Sequence, residues 1–131
     1  MKLSSKTHYG LLACYYLGTH PDTAVPASAL ENYISVSGKY LEKIMRMLSA
    51  RNIVKAERGA FGGYFLARRP EEISVGEIVR ALEDDMEIIE CVKTDKACKC
   101  CPTSKVWKKL HAGINGLLDG ISVRQMIEGD Y

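Results

Sequence analysis

The chain has 131 residues, 47% of them hydrophobic, enough for one domain with a real core, while no apolar run reaches the length of a membrane-spanning helix. Its net charge is only +2, but residues 1–69 hold 10 Lys/Arg against 4 Asp/Glu and residues 70–131 hold 8 against 12, so a basic binding half is joined to a part with another task. Of 5 cysteines, four crowd between Cys91 and Cys101, which argues against a disulfide scaffold and suits metal or redox chemistry; with no signal-peptide run in MKLSSKTHYGLLACYYLG, the expected location is the cytoplasm, with no membrane partner.

Tyr9, Leu12, Ala13, Tyr16 and Leu17 recur at helical spacing and predict an amphipathic helix from Ser5 to about Leu17, stopped by Gly18, with Cys14 a packing residue. Pro26 opens a short helix through about Asn32, whose Ala27, Leu30 and Tyr33 can face the first. Ile34 to Val36 is then the turn of a helix-turn-helix. Ser37 is placed to cap the next helix, beside exposed amides that could hold a phosphate. In that helix Leu41, Ile44, Met45 and Leu48 form an apolar stripe, and Lys39, Glu42, Lys43 and Arg46 repeat the spacing on the opposite face. After Asn52 the period becomes extended: IVKAE and YFLA flank RGAFGG, whose glycines allow positive φ and a tip with little bulk, with Arg58 at its base. A helix, a turn, a basic helix and a hairpin, in that order, make a helix-turn-helix with a wing and imply double-stranded DNA as partner.

Beyond the wing, Ser74 to Glu77 reads as a capping box starting a helix to about Glu83, with Asp84 to Glu90 its frayed continuation. The segment CVKTDKACKCCP has no apolar period and reads as a loop organised by something other than burial. Pro102 opens the longest helix, where Trp107, Leu110, Ile114, Leu117, Leu118 and Ile121 make a longer apolar stripe than one small domain needs. A second copy of the chain is the expected cover, and Gly113 and Gly116 would permit close approach of its backbone. Ser122 to Gln125 is a second capping box, for a last helix ending at Gly129. The expected fold is mainly α with a small β-hairpin: a winged helix-turn-helix over 1–83, a cysteine-bearing sensor loop over 84–101, and a dimerisation helix with a C-terminal helix over 102–131.

With MKLSSKTHYGLLA, SGKYLEKIMRML, RGAFGGYFLAR, ISVGEIVRALE and CPTSKVWKKL in view, the chain resembles, nearly end to end, the Rrf2 family of bacterial winged helix-turn-helix regulators, which includes the IscR, NsrR and CymR types. The resemblance implies a homodimer whose long helices cross and a DNA-binding transcription regulator, often a repressor, on a partly palindromic operator. It implies Ser37, Lys39, Tyr40 and Glu42 in the major groove, and Arg58 with Gly62 and Gly63 at the minor groove. A carboxylate does not help generic phosphate binding, so Glu42 would accept from cytosine or repel wrong sequences if it faces DNA, or else pair with Arg46 one turn on.

Cluster-binding members ligate an iron-sulfur cluster through three loop cysteines and a fourth ligand of another kind. By position these are Cys91, Cys98 and Cys101, with Cys100 the alternative middle ligand; Cys98 is preferred because a C-x-x-C step wraps one metal centre better than adjacent cysteines. The IscR-type histidine position is Ser104, a poor iron ligand. The NsrR-type aspartate, supplied from the first helix of the other subunit, corresponds to His8. Both 2Fe-2S and 4Fe-4S forms stay open. Lys93, Lys96, Lys99 and Lys105 favour thiolate around Cys98, Cys100 and Cys101, so a thiol switch or a zinc site is the alternative, and a regulator controlled by a partner protein, as in the CymR type, is another. No nucleophile, base and orienting group stand at catalytic spacing, and an enzyme is not expected.

Overall fold

The computed structural model describes residues 2–84, 86 and 101–131. These form helices α1 (Ser5–Gly18), α2 (Ala27–Ile34) and α3 (Gly38–Ala50), the antiparallel hairpin β1 (Val54–Glu57) and β2 (Gly63–Leu66), a 3-10 turn at Pro70–Glu72, and helices α4 (Val75–Leu82), α5 (Ser104–Asp119) and α6 (Val123–Glu128). The expected class, mainly helical with one small hairpin, is what the chain adopts.

The apolar stripe of α3 is realised in full: Leu41, Ile44, Met45 and Leu48 are all buried. They join Leu17, Leu30, Ile53, Ile73, Ile78, Leu82 and Val123 in a single core that draws on almost every element. The face that α1 buries differs from the one its large residues suggest. Thr7, Gly10, Ala13, Cys14 and Leu17 are inside, whereas Tyr9, Leu12 and Tyr16 are half-buried at the edge of the core. The reason is the nearness of α4: a Cβ on Gly10 would collide with the Leu82 side chain, so small residues form the contact and the tyrosines flank it.

Cys14 packs as expected. Burial alone pushes its thiol up to about 12, so the reactive thiolate is suppressed. Titrating the native, reduced protein with a thiol reagent is therefore expected to leave Cys14 unmodified until denaturant is added; its prompt modification under native conditions would show that the α1 contact opens readily.

Two boundaries shift. Pro26 stands just outside α2 as its cap, and α2 continues to Ile34 because Ile34 is buried in the core. The helix then ends on Ser35, whose φ of 64° turns the chain left-handed, so the turn before α3 runs over 35–37. Tyr33 is largely exposed but packs its ring 4.7 Å from that of Tyr16, holding α2 to α1.

The hairpin pairs Val54 with Leu66, Lys55 with Phe65, Ala56 with Tyr64 and Glu57 with Gly63. It is anchored from outside: Val25 and Tyr64 exchange two N–H to carbonyl hydrogen bonds of 2.8 Å each, which adds one rung from the connection between α1 and α2. Both predicted capping boxes form, at Ser74 with Glu77 and at Ser122 with Gln125. The helix before the cysteine segment stops at Leu82, and Glu83 is already extended. The frayed continuation expected over Asp84 to Glu90 lies, apart from Asp84 and Met86, outside the described residues.

Among the described residues no side chain of α5 is buried. Val106, Leu110 and Leu117 are exposed on it by 59%, 45% and 72%, and a Cβ added at Gly113 or Gly116 would meet no described atom within 4 Å. Its hold on the rest runs through α4, where Arg80 donates to Asn115 at 3.1 Å and pairs with Asp119.

Candidate DNA interface and cysteine segment

α3 starts cleanly because the Ser37 hydroxyl accepts from the Tyr40 N–H at 3.2 Å, satisfying one of the orphan donors of the first turn. Lys39, Lys43 and Arg46 then project from the helix face opposite the core and are exposed. Tyr40 is half-buried, with its ring edge-on to Tyr9 at 5.9 Å, so it braces α3 against α1 as well as lying on the candidate DNA face. Glu42 takes the pairing within its own helix: its carboxylate accepts from Arg46 at 3.1 Å, with both side chains more than half exposed. An ion pair this exposed contributes little to stability, and both groups stay available to a ligand.

The wing lies beside this face. Tyr64 on β2 shares a shallow groove with Glu42, Met45, Arg46 and Ala56, and its phenol is held above its usual range by burial first and by the Glu42 charge second. Arg58 is exposed where β1 ends. Gly62 and Gly63 are required by the chain itself: a Cβ on Gly62 would strike the Glu57 carbonyl, and one on Gly63 would strike the carbonyl of Val25. The tip also has more bulk than its glycines suggest, because Phe61 is 96% exposed there.

Of the cysteine segment, Cys91, Cys98 and Cys100 lie outside the described residues. Cys101 is half-exposed just ahead of α5. The Thr103 hydroxyl lies 3.3 Å from its sulfur, and hydrogen bonds from the Thr103 side chain and then its backbone hold the thiol below its ordinary value. A thiol so placed favours the thiolate, the form that ligates metal. Ser104, its near neighbour, is the first residue of α5. Among the described residues no three ligand-type side chains converge. His8 is exposed in the first turns of α1, beside the Tyr9 ring.

Residues 3–129 match the family model Rrf2, described as an iron-dependent transcriptional regulator. The chain belongs to the Rrf2 family. It is 30% identical over 131 residues to the HTH-type transcriptional regulator IscR of Aliivibrio salmonicida, covering 97% of this chain and 77% of that one. Its structure superposes on CymR, the global cysteine regulator of B. subtilis, with a TM-score of 0.82 at 25% identity over 100% of this chain and 99% of that one. On IscR of T. potens the TM-score is 0.78 at 33% identity, over 100% and 89%. Accordingly the chain is a winged-helix, DNA-binding transcription regulator and not an enzyme. Among the described residues no helix is long and apolar enough to cross a membrane.

In this Rrf2 regulator the two ends of α4 carry contacts that periodicity does not mark. At the start, Arg68 donates to Glu77 at 2.7 Å and to the carbonyls of Asn52 and Glu72, tying the wing base to the α4 cap. At the end, Glu83 accepts from the Ser4 N–H at 2.6 Å, from the Ser4 hydroxyl at 2.9 Å and from the Thr7 hydroxyl at 2.5 Å, so it caps α1 from 79 residues away in sequence. No short-range spacing marks this contact, because its partners lie 76 and 79 residues apart.

Burial raises both carboxyls, but the combined donors outweigh it: Ser74 and Arg68 lower Glu77, and Thr7, Ser4 and Lys6 lower Glu83. A native value below the ordinary 4.5 means the stabilisation is complete above that value and is lost as pH falls through the lowered one. Melting temperature is therefore expected to drop from about pH 5 toward about pH 3, and the double variant Glu77→Gln, Glu83→Gln to flatten that slope. An unchanged slope would show that neither contact persists in solution.

Proposed function

We propose that this Rrf2 regulator is a homodimeric repressor whose affinity for a two-half-site DNA operator is set by an iron-sulfur cluster on the segment from Cys91 to Cys101. The observation that carries the DNA part is the placement of Lys39, Lys43 and Arg46 on the solvent face of α3, next to a wing that offers Arg58. Ser37 and Tyr40 at the start of α3 face the major groove with Lys39, and the Glu42 carboxylate, released from Arg46, reads cytosine or rejects other bases. Arg58 enters the minor groove, where its charge meets concentrated negative potential, and Gly62 and Gly63 keep the wing backbone thin there. The exposed stripe of α5 is covered by the second copy.

Cys91, Cys98 and Cys101 would hold the cluster, with His8 of the second copy as fourth ligand. Cys100 and Ser104 are the alternatives to Cys98 and His8. The Cys101 thiol, held low by Thr103, fits a ligand role. Such a cluster would supply a redox-sensitive and nitric-oxide-sensitive centre. The response belongs to the chain: α4 is tied to the wing base by the Glu77–Arg68 pair and to the start of α1 by Glu83, which precedes Cys91 by eight residues in the sequence, and a tenfold change in operator affinity needs a coupling of only about 1.4 kcal/mol.

Purification without oxygen, followed by visible absorbance and iron and sulfide assay, tests the cluster. The expected result is a coloured protein that loses its colour in the Cys91→Ala variant. Zinc by elemental analysis, or a colourless protein with a mass gain after peroxide, would replace the cluster with a zinc site or a thiol switch.

Operator affinity is expected to fall steeply with salt, because several phosphates must be neutralised. Arg58→Ala should cost roughly 1 to 3 kcal/mol by fluorescence anisotropy. Equal affinity of the variant and the wild type at moderate salt would remove the wing from the interface.

A further inference from the structure

We propose that Phe61 is a wedge: seated in the minor groove beside Arg58, its ring parts a base step and bends the operator. This rests on the operator-binding reading above and adds to it a distortion of the DNA, with a preference for a flexible step at the wing contact.

The tip of the wing is a four-residue turn closed by the Gly62 N–H donating to the Gly59 carbonyl at 3.0 Å, which puts Ala60 and Phe61 on its two corners. Neither corner has a positive φ, so the backbone there accepts most residue types and does not itself call for an aromatic one. Here one corner carries an aromatic ring that is 96% exposed, more than any other large apolar side chain among the described residues. Folding gains nothing from a ring that stays in water. A ring that the fold does not use is available to a partner outside it.

The surroundings select the partner. The tip is RGAFGG, a cation followed by small residues and Phe61, with the nearest carboxylate, Glu57, one step back at the end of β1. A minor groove is roughly 6 Å wide, and only Phe61 gives this tip any bulk. An arginine that follows the groove together with an apolar side chain that opens a base step is the combination by which minor-groove proteins kink a duplex.

A wedge also needs a stiff backing, because a loose loop would fold away instead of unstacking bases. The hairpin is stiffened on two sides, by the double hydrogen bond between Val25 and Tyr64 and by Arg68 at its base. Pyrimidine–purine steps unstack most easily, so such a step is expected where each wing meets the operator.

The test uses the full chain and a duplex selected by it from a random-sequence pool. The selected duplex is labelled at both ends for energy transfer, and a second set carries 2-aminopurine at successive positions. Wild type is expected to raise the transfer efficiency and to brighten 2-aminopurine at one step per half-site. Phe61→Ala should still bind, within about tenfold, but lose most of both signals, and Phe61→Trp should restore them. Since the ring touches little of the protein, the variants should melt as wild type does. If Phe61→Ala bends the duplex and brightens the probe as wild type does, the wedge is wrong while operator binding stands. If the wild type selects no duplex at all, operator binding itself fails and the wedge falls with it.

Discussion

The double variant Leu110→Asp, Leu117→Asp is expected to run as a monomer and to lose operator affinity by roughly a hundredfold or more. Both side chains lie on the outer face of α5 and are exposed by 45% and 72%, so neither change removes anything from the protomer's core. Val106, Ile114 and Gly113 complete an apolar surface with them, and contiguous apolar surface of this kind marks an interaction site. In the proposed homodimer, two carboxylates on this face would put four charges into one interface, where burying an unpaired charge is strongly unfavourable. A monomer reaches one half-site only and forfeits the effective concentration that the second half-site adds. Analytical ultracentrifugation and anisotropy on the same sample give both numbers, and unchanged circular dichroism shows that the protomer is intact. Persistence of the dimer at micromolar concentration would place the subunit contact elsewhere. Gly113→Ala sharpens the result. In an isolated helix it should stabilise by about 1 kcal/mol, so a weakened dimer would reveal a partner backbone lying against that glycine.

Gly63→Val should destabilise the protein by about 2 to 4 kcal/mol and displace the wing. The Cβ of any larger residue at 63 runs into the Val25 carbonyl, with the Pro26 nitrogen close behind. To make room, Val25 must move away, and both 2.8 Å hydrogen bonds between it and Tyr64 are lost. Those bonds tie the hairpin to the connection between α1 and α2, so Arg58 should lose its fixed position relative to α3. Thermal melting would show the stability loss, and anisotropy a reduced preference for the selected operator over random duplex. Nonspecific binding, assigned in the proposed interface to Lys39, Lys43 and Arg46, should survive. A variant with wild-type melting and wild-type specificity would mean that the wing is not held by this contact.

What could be read without a structure was whatever follows from short-range spacing. The α3 stripe of Leu41, Ile44, Met45 and Leu48, the caps at Ser37, Ser74 and Ser122, the hairpin around RGAFGG and the exposed cations at 39, 43 and 46 all depend on residues within a turn or two of each other. Local geometry decides such features, and the chain adopts each of them. The cysteine grouping was equally plain, as a pattern without a conformation.

Tertiary packing decided the rest, because side chains distant in sequence meet only after folding. The buried face of α1 went to Gly10 and Ala13 rather than to the tyrosines, since Leu82 arrives from α4. Glu83 left the helix to cap α1 at Ser4 and Thr7, and Arg68 tied the wing to α4. Glycines that local reading assigns to turn conformation at 62 and 63 are small because backbone from Glu57 and Val25 passes beside them. Hydrophobic spacing places an aromatic residue in the wing as readily inside as outside. Only the folded hairpin, with nothing to pack over its tip, leaves Phe61 in water.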